Sequence, residues 1–167
     1  ALGVDLRQGQ PTPGNKAGGL STIEEKSLGC MYKAGTSDFV AALEYAEPLP
    51  SDKKGLFFMD SPGQDIDSIS GMAASGAQII AFSTGRGTPT GSPVCPVIKI
   101  TGNSATFAAM ADNIDLNAGE LIDGRRSLPE VGRELFDFMA EVANGRLTKA
   151  ESLGHQEFGI FKLAGTF

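Results

Sequence analysis

Gly55-Leu56-Phe57-Phe58-Met59-Asp60, then Asp65-Ile66-Asp67-Ser68-Ile69-Ser70-Gly71-Met72-Ala73-Ala74, then Ala77-Gln78-Ile79-Ile80-Ala81-Phe82, is the stretch that decides the fold class. The two outer pieces are short apolar runs, the first closed by an acid, and read as buried strands. The middle piece carries acids early and apolar residues at Ile66, Ile69, Met72 and Ala73. That is an amphipathic helix whose charges suit its own dipole. Strand, helix, strand at this spacing is a βαβ unit, so the two strands are expected to be parallel neighbours or near-neighbours. The fold class is then a three-layer, Rossmann-like open α/β sheet with parallel strands. Ligands of such sheets bind beyond the C-terminal strand ends. Asp60-Ser61 and the loop Ser83-Thr84-Gly85-Arg86-Gly87-Thr88-Pro89 should both lie there.

Working outward, residues 96–101 form a third strand candidate and 104–110 a short helix. Ser127-Leu128-Pro129-Glu130 reads as a capping box with proline in the first turn. Leu128, Val131, Leu135, Phe138, Met139 and Val142 make one apolar stripe behind it, and Asn144-Gly145 supplies the stop. Residues 39–47 suit a strand or a helix equally. Residues 1–13 are polar and loop-like. The stretch Pro13-Gly14-Asn15-Lys16-Ala17-Gly18-Gly19-Leu20-Ser21-Thr22-Ile23-Glu24-Glu25-Lys26-Ser27-Leu28-Gly29 joins a glycine-rich loop to a capped helix over 22–28, ending near Gly29. Ser21 with Glu24, or Thr22 with Glu25, provides the capping box. Lys16 is the only formal charge between Arg7 and Glu24, which suits an anion.

Arg86 stands between Gly85 and Gly87, where backbone N–H groups can face a ligand and a guanidinium can fork onto a carboxylate. The structural alternative is an arginine that anchors its own loop. Asp60 can bind hydroxyls or a metal, or cap the next helix. Asp112, Asp115 and Asn117 lack the spacing of a calcium loop and read first as turns. His155, the one histidine, reads first as structural. The dinucleotide fingerprint fits poorly, and the absence of Gly-Lys-Ser/Thr excludes a P-loop.

At 167 residues and 41% hydrophobic, the chain suits one domain, residues 1–167, with its own core. Its net charge of −6 and lack of basic clusters argue against nucleic acid. No apolar run reaches the ~20 residues a bilayer requires. Two distant cysteines form no zinc motif, and the expected setting is reduced and cytoplasmic.

Four ordered segments carry a resemblance: the stretch from Pro13 to Gly29, Met59-Asp60-Ser61-Pro62-Gly63, Ser83-Thr84-Gly85-Arg86-Gly87-Thr88-Pro89, and Ile114-Asp115-Leu116-Asn117-Ala118-Gly119. Together they resemble the altronate/galactarate dehydratase family, which includes the large subunit of sulfolactate sulfo-lyase. The resemblance implies the C-terminal part of a longer lyase that eliminates water from altronate or galactarate to give a 2-keto-3-deoxy acid. It leaves two alternatives, a sulfo-lyase domain and a non-catalytic interface domain. Carried onto these motifs, it implies Lys16 and Asp60 as catalytic residues, and Lys16, Asn15, Ser61, Thr84, Gly85, Arg86 and Gly87 as substrate-binding residues. It further implies a divalent metal, Fe2+ or similar, whose ligands draw on the missing N-terminal part, because one histidine cannot build a full set. Expected partners are a small sugar acid and that N-terminal part, with further copies of the chain an open alternative. Activity is expected to need the N-terminal part.

Overall fold

The computed structural model describes residues 11–17 and 21–160. In chain order the elements are α1 (Pro13–Ala17), α2 (Glu24–Lys33), β1 (Phe39–Leu43), β2 (Leu56–Met59), α3 (Asp65–Ala74), β3 (Ile80–Thr84), β4 (Val97–Thr101), α4 (Ser104–Ala109), β5 (Leu116–Asn117), α5 (Gly119–Ile122), α6 (Leu128–Ala143) and α7 (Lys149–Ser152). Helices and strands are mixed along the chain, and each strand pair among the described residues is parallel, as in an open α/β sheet.

The ladders fall into two groups, β1-β2 and β3-β4-β5. β2 and β3 flank α3 as expected, but among the described residues no ladder joins them: β2 takes β1 as its partner and β3 takes β4. Residues 39–43 resolve as a strand because Leu43 and its neighbours run alongside Leu56–Met59. Parallel pairing demands a crossover, supplied by residues 44–55. That crossover docks on α3, where the Tyr45 hydroxyl donates to the Asp67 carbonyl at 2.7 Å and the Leu49 N–H donates to Ser75 at 3.0 Å.

β3 starts three residues later than the expected run from Ala77 and continues through Ser83 and Thr84. The Ala77 N–H is still tied to the Met72 carbonyl at the end of α3, so the strand begins only at Ile80, in register with Val97. β4 lies in the middle of its sheet, and Val97, Ile98, Lys99 and Thr101 are all buried. Burial of successive residues is what a strand covered on both faces requires. Ile69 of α3 packs with Ile80, Cys95 and Val97, flanked by Met72, Ala73 and Phe82.

α6 follows the expected pattern at both ends. The Glu130 carboxylate accepts from the Ser127 N–H at 2.7 Å and from its hydroxyl at 2.6 Å. The stripe buries Val131 and Val142, while Leu128 at its start is 72% exposed.

The first segment differs from expectation. Residues 13–17 form a short helix instead of a loop, with Pro13 at its first position, where the missing N–H costs nothing. α2 runs past Gly29 to Lys33. Its start is held by the Glu25 carboxylate reaching back to the Ser21 N–H at 2.9 Å and hydroxyl at 2.6 Å, one residue off either expected box. No helix among the described residues is long and apolar enough to cross a membrane.

Candidate functional site

The loop after β3 is shaped by its own residues and by α4. The Thr84 hydroxyl accepts from the Gly87 N–H at 3.0 Å, closing a tight turn around Gly85 and Arg86. Gly87 holds φ +86°, a conformation side chains rarely adopt. The Thr106 hydroxyl donates to the Gly85 carbonyl at 2.9 Å, pinning the turn to α4. Thr84, Gly85 and Gly87 therefore build the turn, and Arg86 is left exposed at its tip.

Arg86 meets the first segment. A β-carbon built on Gly14 would stand 2.5 Å from Cζ and 2.9 Å from Nε of Arg86, and nearer still to Nη1. The guanidinium thus lies against the bare α-carbon of Gly14, in a space any other residue would fill. Among the described residues Arg86 makes no ion pair, so the alternative of an arginine anchoring its own loop to an acid is not realised there. Lys16 is exposed two positions along α1 from Gly14. Positions two apart on a helix do not share a face, so any reach of Lys16 toward Arg86 depends on its flexible stem. The side chain of Asn15 lies outside the described residues.

Asp60 is exposed at the end of β2, its N–H donating to the Leu43 carbonyl at 2.9 Å. It does not cap α3, whose N-cap is Gln64 without a side-chain cap bond. Ser61 sits close by, its hydroxyl 3.3 Å from that of Ser68. The structure thus brings Gly14 and Arg86 together, while Asp60 and Ser61 occupy the tip of the other sheet.

Other residues fall to structural roles. The Asp115 carboxylate accepts from the backbone N–H groups of Lys99 at 2.7 Å and Lys149 at 2.9 Å. Asn117 accepts from the Gly119 N–H at 3.0 Å, the side-chain-held turn expected there. His155 Nδ1 lies 3.0 Å from Glu157 Oε1. No group of three or more His, Cys, Asp or Glu that could hold a metal occurs among the described residues. The donors present there do not fit a divalent ion unaided.

A groove of about 710 Å³ runs along α6 and includes none of the motif residues around Arg86. Its charges answer one another: Arg126 pairs with Glu134, Arg133 with Asp137 at 3.0 Å, and Arg146 with Glu141. With Asp115 and Glu130 also lining it, the groove holds more carboxylates than arginines and is a poor anion trap.

Two features were missed from sequence. Gly14 is the seat of Arg86, and Lys99 with Glu157 supports the loop from beneath. The second had a visible signal, a lysine inside the apolar run Val97-Ile98-Lys99-Ile100.

Against known proteins, the family described as D-galactarate/altronate dehydratase, C-terminal, matches residues 1–166. The chain belongs to that family. Altronate dehydratase of Bacillus subtilis (strain 168) is 45% identical to this family member over 152 residues, which is 91% of this chain and 30% of the relative. Galactarate dehydratase (L-threo-forming) of Escherichia coli (strain K12) is 36% identical over 165 residues, 98% of the chain and 31% of the relative. The (2R)-sulfolactate sulfo-lyase subunit beta of Chromohalobacter salexigens is 40% identical over 159 residues, 95% of the chain and 41% of the relative. This family member therefore spans between 30% and 41% of the length of these relatives.

Proposed function

We propose that this chain is the C-terminal domain of a sugar-acid dehydratase, and that Arg86 holds a carboxylate of the substrate. The observation that carries the reading is the guanidinium of Arg86 lying against Gly14, which joins two glycine-containing motifs far apart in the chain. The reaction removes the proton next to a carboxylate, leaving an enediolate-like dianion. The C–O bond of the neighbouring hydroxyl then breaks, the departing oxygen takes a proton and leaves as water, and the enol becomes the 2-keto-3-deoxy acid. A base, an acid and positive charge at the growing dianion are all required. Arg86 supplies a two-pronged, orienting contact to the carboxylate. Lys16 adds a second positive charge at longer range, and Asp60 with Ser61 engages substrate hydroxyls or the moving proton. Thr84, Gly85 and Gly87 shape the turn, and Asn15, next to Gly14 in the chain, is proposed as a further substrate contact.

The divalent ion, Fe2+ or similar, is proposed to take its ligands from outside the described residues. Activity is accordingly proposed to need the N-terminal part of a longer enzyme working in the cytoplasm. α2, which has no buried residue, is the kind of surface such a part would cover. Substituting Arg86 in the intact enzyme tests the reading. Arg86→Ala should lower kcat/KM about 10²-fold or more, and Arg86→Lys should recover little, because a point charge cannot reproduce the fork. Unchanged turnover and substrate affinity in both variants refute it.

A second reading is favoured by the 40% identity to the sulfo-lyase subunit. There the same carboxylate contact serves loss of sulfite instead of water. Turnover of altronate or galactarate without turnover of sulfolactate decides for the dehydratase, and the reverse for the sulfo-lyase. Full turnover by the intact enzyme with Lys16, Asp60 and Arg86 all replaced by alanine decides for a silent interface domain.

A further inference from the structure

Lys99 sits in the middle of the central strand β4 with 0% exposure, where a lysine is costly unless its ammonium is held. The ammonium donates to the carbonyl of Pro89 at 2.8 Å, on the loop that carries Arg86. Burial pulls its pKa down, Asp115 and Glu157 push it back up, and Lys149 adds to the lowering. The far end of the loop is held from the same side, where Glu157 Oε2 accepts from the Gly91 N–H at 2.9 Å. On either side of Pro89, the buried hydroxyls of Thr88 and Thr90 lie 2.8 Å apart. The loop is thus exposed at Arg86 and fastened to the buried Lys99 at Pro89 and to the half-buried Glu157 at Gly91. An apolar side chain of similar length would pack in β4 without the desolvation cost. It would not hold the Pro89 carbonyl.

We propose that Lys99, aided by Glu157, is a positioning residue that sets the loop after β3 so that the Arg86 guanidinium rests on Gly14. The inference rests on the reading of Arg86 as the carboxylate-binding residue. The loop needs a fixed backbone because a fork can meet a carboxylate squarely from few directions. The sheet itself does not need a lysine at this position.

Lys99→Met in the intact enzyme keeps the side chain's length and removes its donor. Amide hydrogen exchange across residues 86–91 should speed up about tenfold while β4 stays protected. kcat/KM for the sugar acid should fall about tenfold in the wild-type background but by less than about twofold in an Arg86→Ala background. Unchanged loop exchange, or the same loss in both backgrounds, overturns the proposal while leaving Arg86 as the binding residue. If Arg86→Ala alone changes nothing, the reading of Arg86 and this inference fall together. Should Lys99→Met fail to fold, Glu157→Ala releases the Gly91 end of the same loop and is held to the same exchange and background comparison.

Discussion

Gly14→Ala places one methyl group where the Arg86 guanidinium now lies. The added carbon would stand 2.5 Å from Cζ, against an ordinary contact of 3.4–4 Å, so the guanidinium must retreat by about 1 Å. The fold tolerates this, because the obstacle is the far end of a flexible side chain. Gly14 lies within α1, where alanine is favoured over glycine by about 0.5–1 kcal/mol. Stability should therefore hold or rise slightly. Catalysis should not, since a misplacement of about 1 Å in a positioned group costs on the order of 10²-fold, or about 2.7 kcal/mol of barrier. The assay is kcat/KM of the intact enzyme with its sugar acid, alongside thermal unfolding. A variant with native kcat/KM would refute the idea that the seat on Gly14 matters. Loss of kcat/KM together with a collapse of stability would refute the separation of the two effects.

Thr148 is fully buried and caps α7, accepting from the Glu151 N–H at 3.2 Å while Glu151 accepts in return from the Thr148 N–H at 2.8 Å. Thr148→Ala should cost about 1–2 kcal/mol and Thr148→Ser clearly less, read by denaturant unfolding. Glu157 responds to acid: burial would raise its pKa, but hydrogen bonds from the Gly91 N–H, its own backbone and His155 outweigh burial and hold it below 4.5. Its contribution is present above the unfolded value and lost as pH falls through the lower folded value. Exchange protection at Gly91 should fade below about pH 4.5, and Glu157→Gln should flatten that dependence. Lys99 has the opposite sense: its folded pKa lies below 10.5, so the unfolded chain binds the extra proton between the two values. Stability in that window should rise with pH in the wild type and not in Lys99→Met. The measurement stops short of pH 10, above which Tyr45, raised by burial and by Asp67, titrates.

The sequence by itself determined the elements whose signals are local. Leu56–Met59 is apolar enough to be a buried strand, residues 65–74 carry a helical period, and Ser127 with Glu130 starts α6 through bonds that span three residues. The family was equally legible, since four ordered motifs are strings of residues and need no coordinates. Residues 39–43 were undecidable because five residues satisfy either period, and only the neighbouring strand β2 made them a strand. Tertiary structure also decided which strands pair, because α3 brings β2 and β3 close in sequence without obliging them to share a ladder. Gly14 reads as loop freedom until Arg86 is seen against it, and Lys99 reads as a polar interruption until Pro89 is found above its ammonium. Propensity and period are written in neighbouring residues, whereas a contact between distant segments exists only once the core has packed and set their separation.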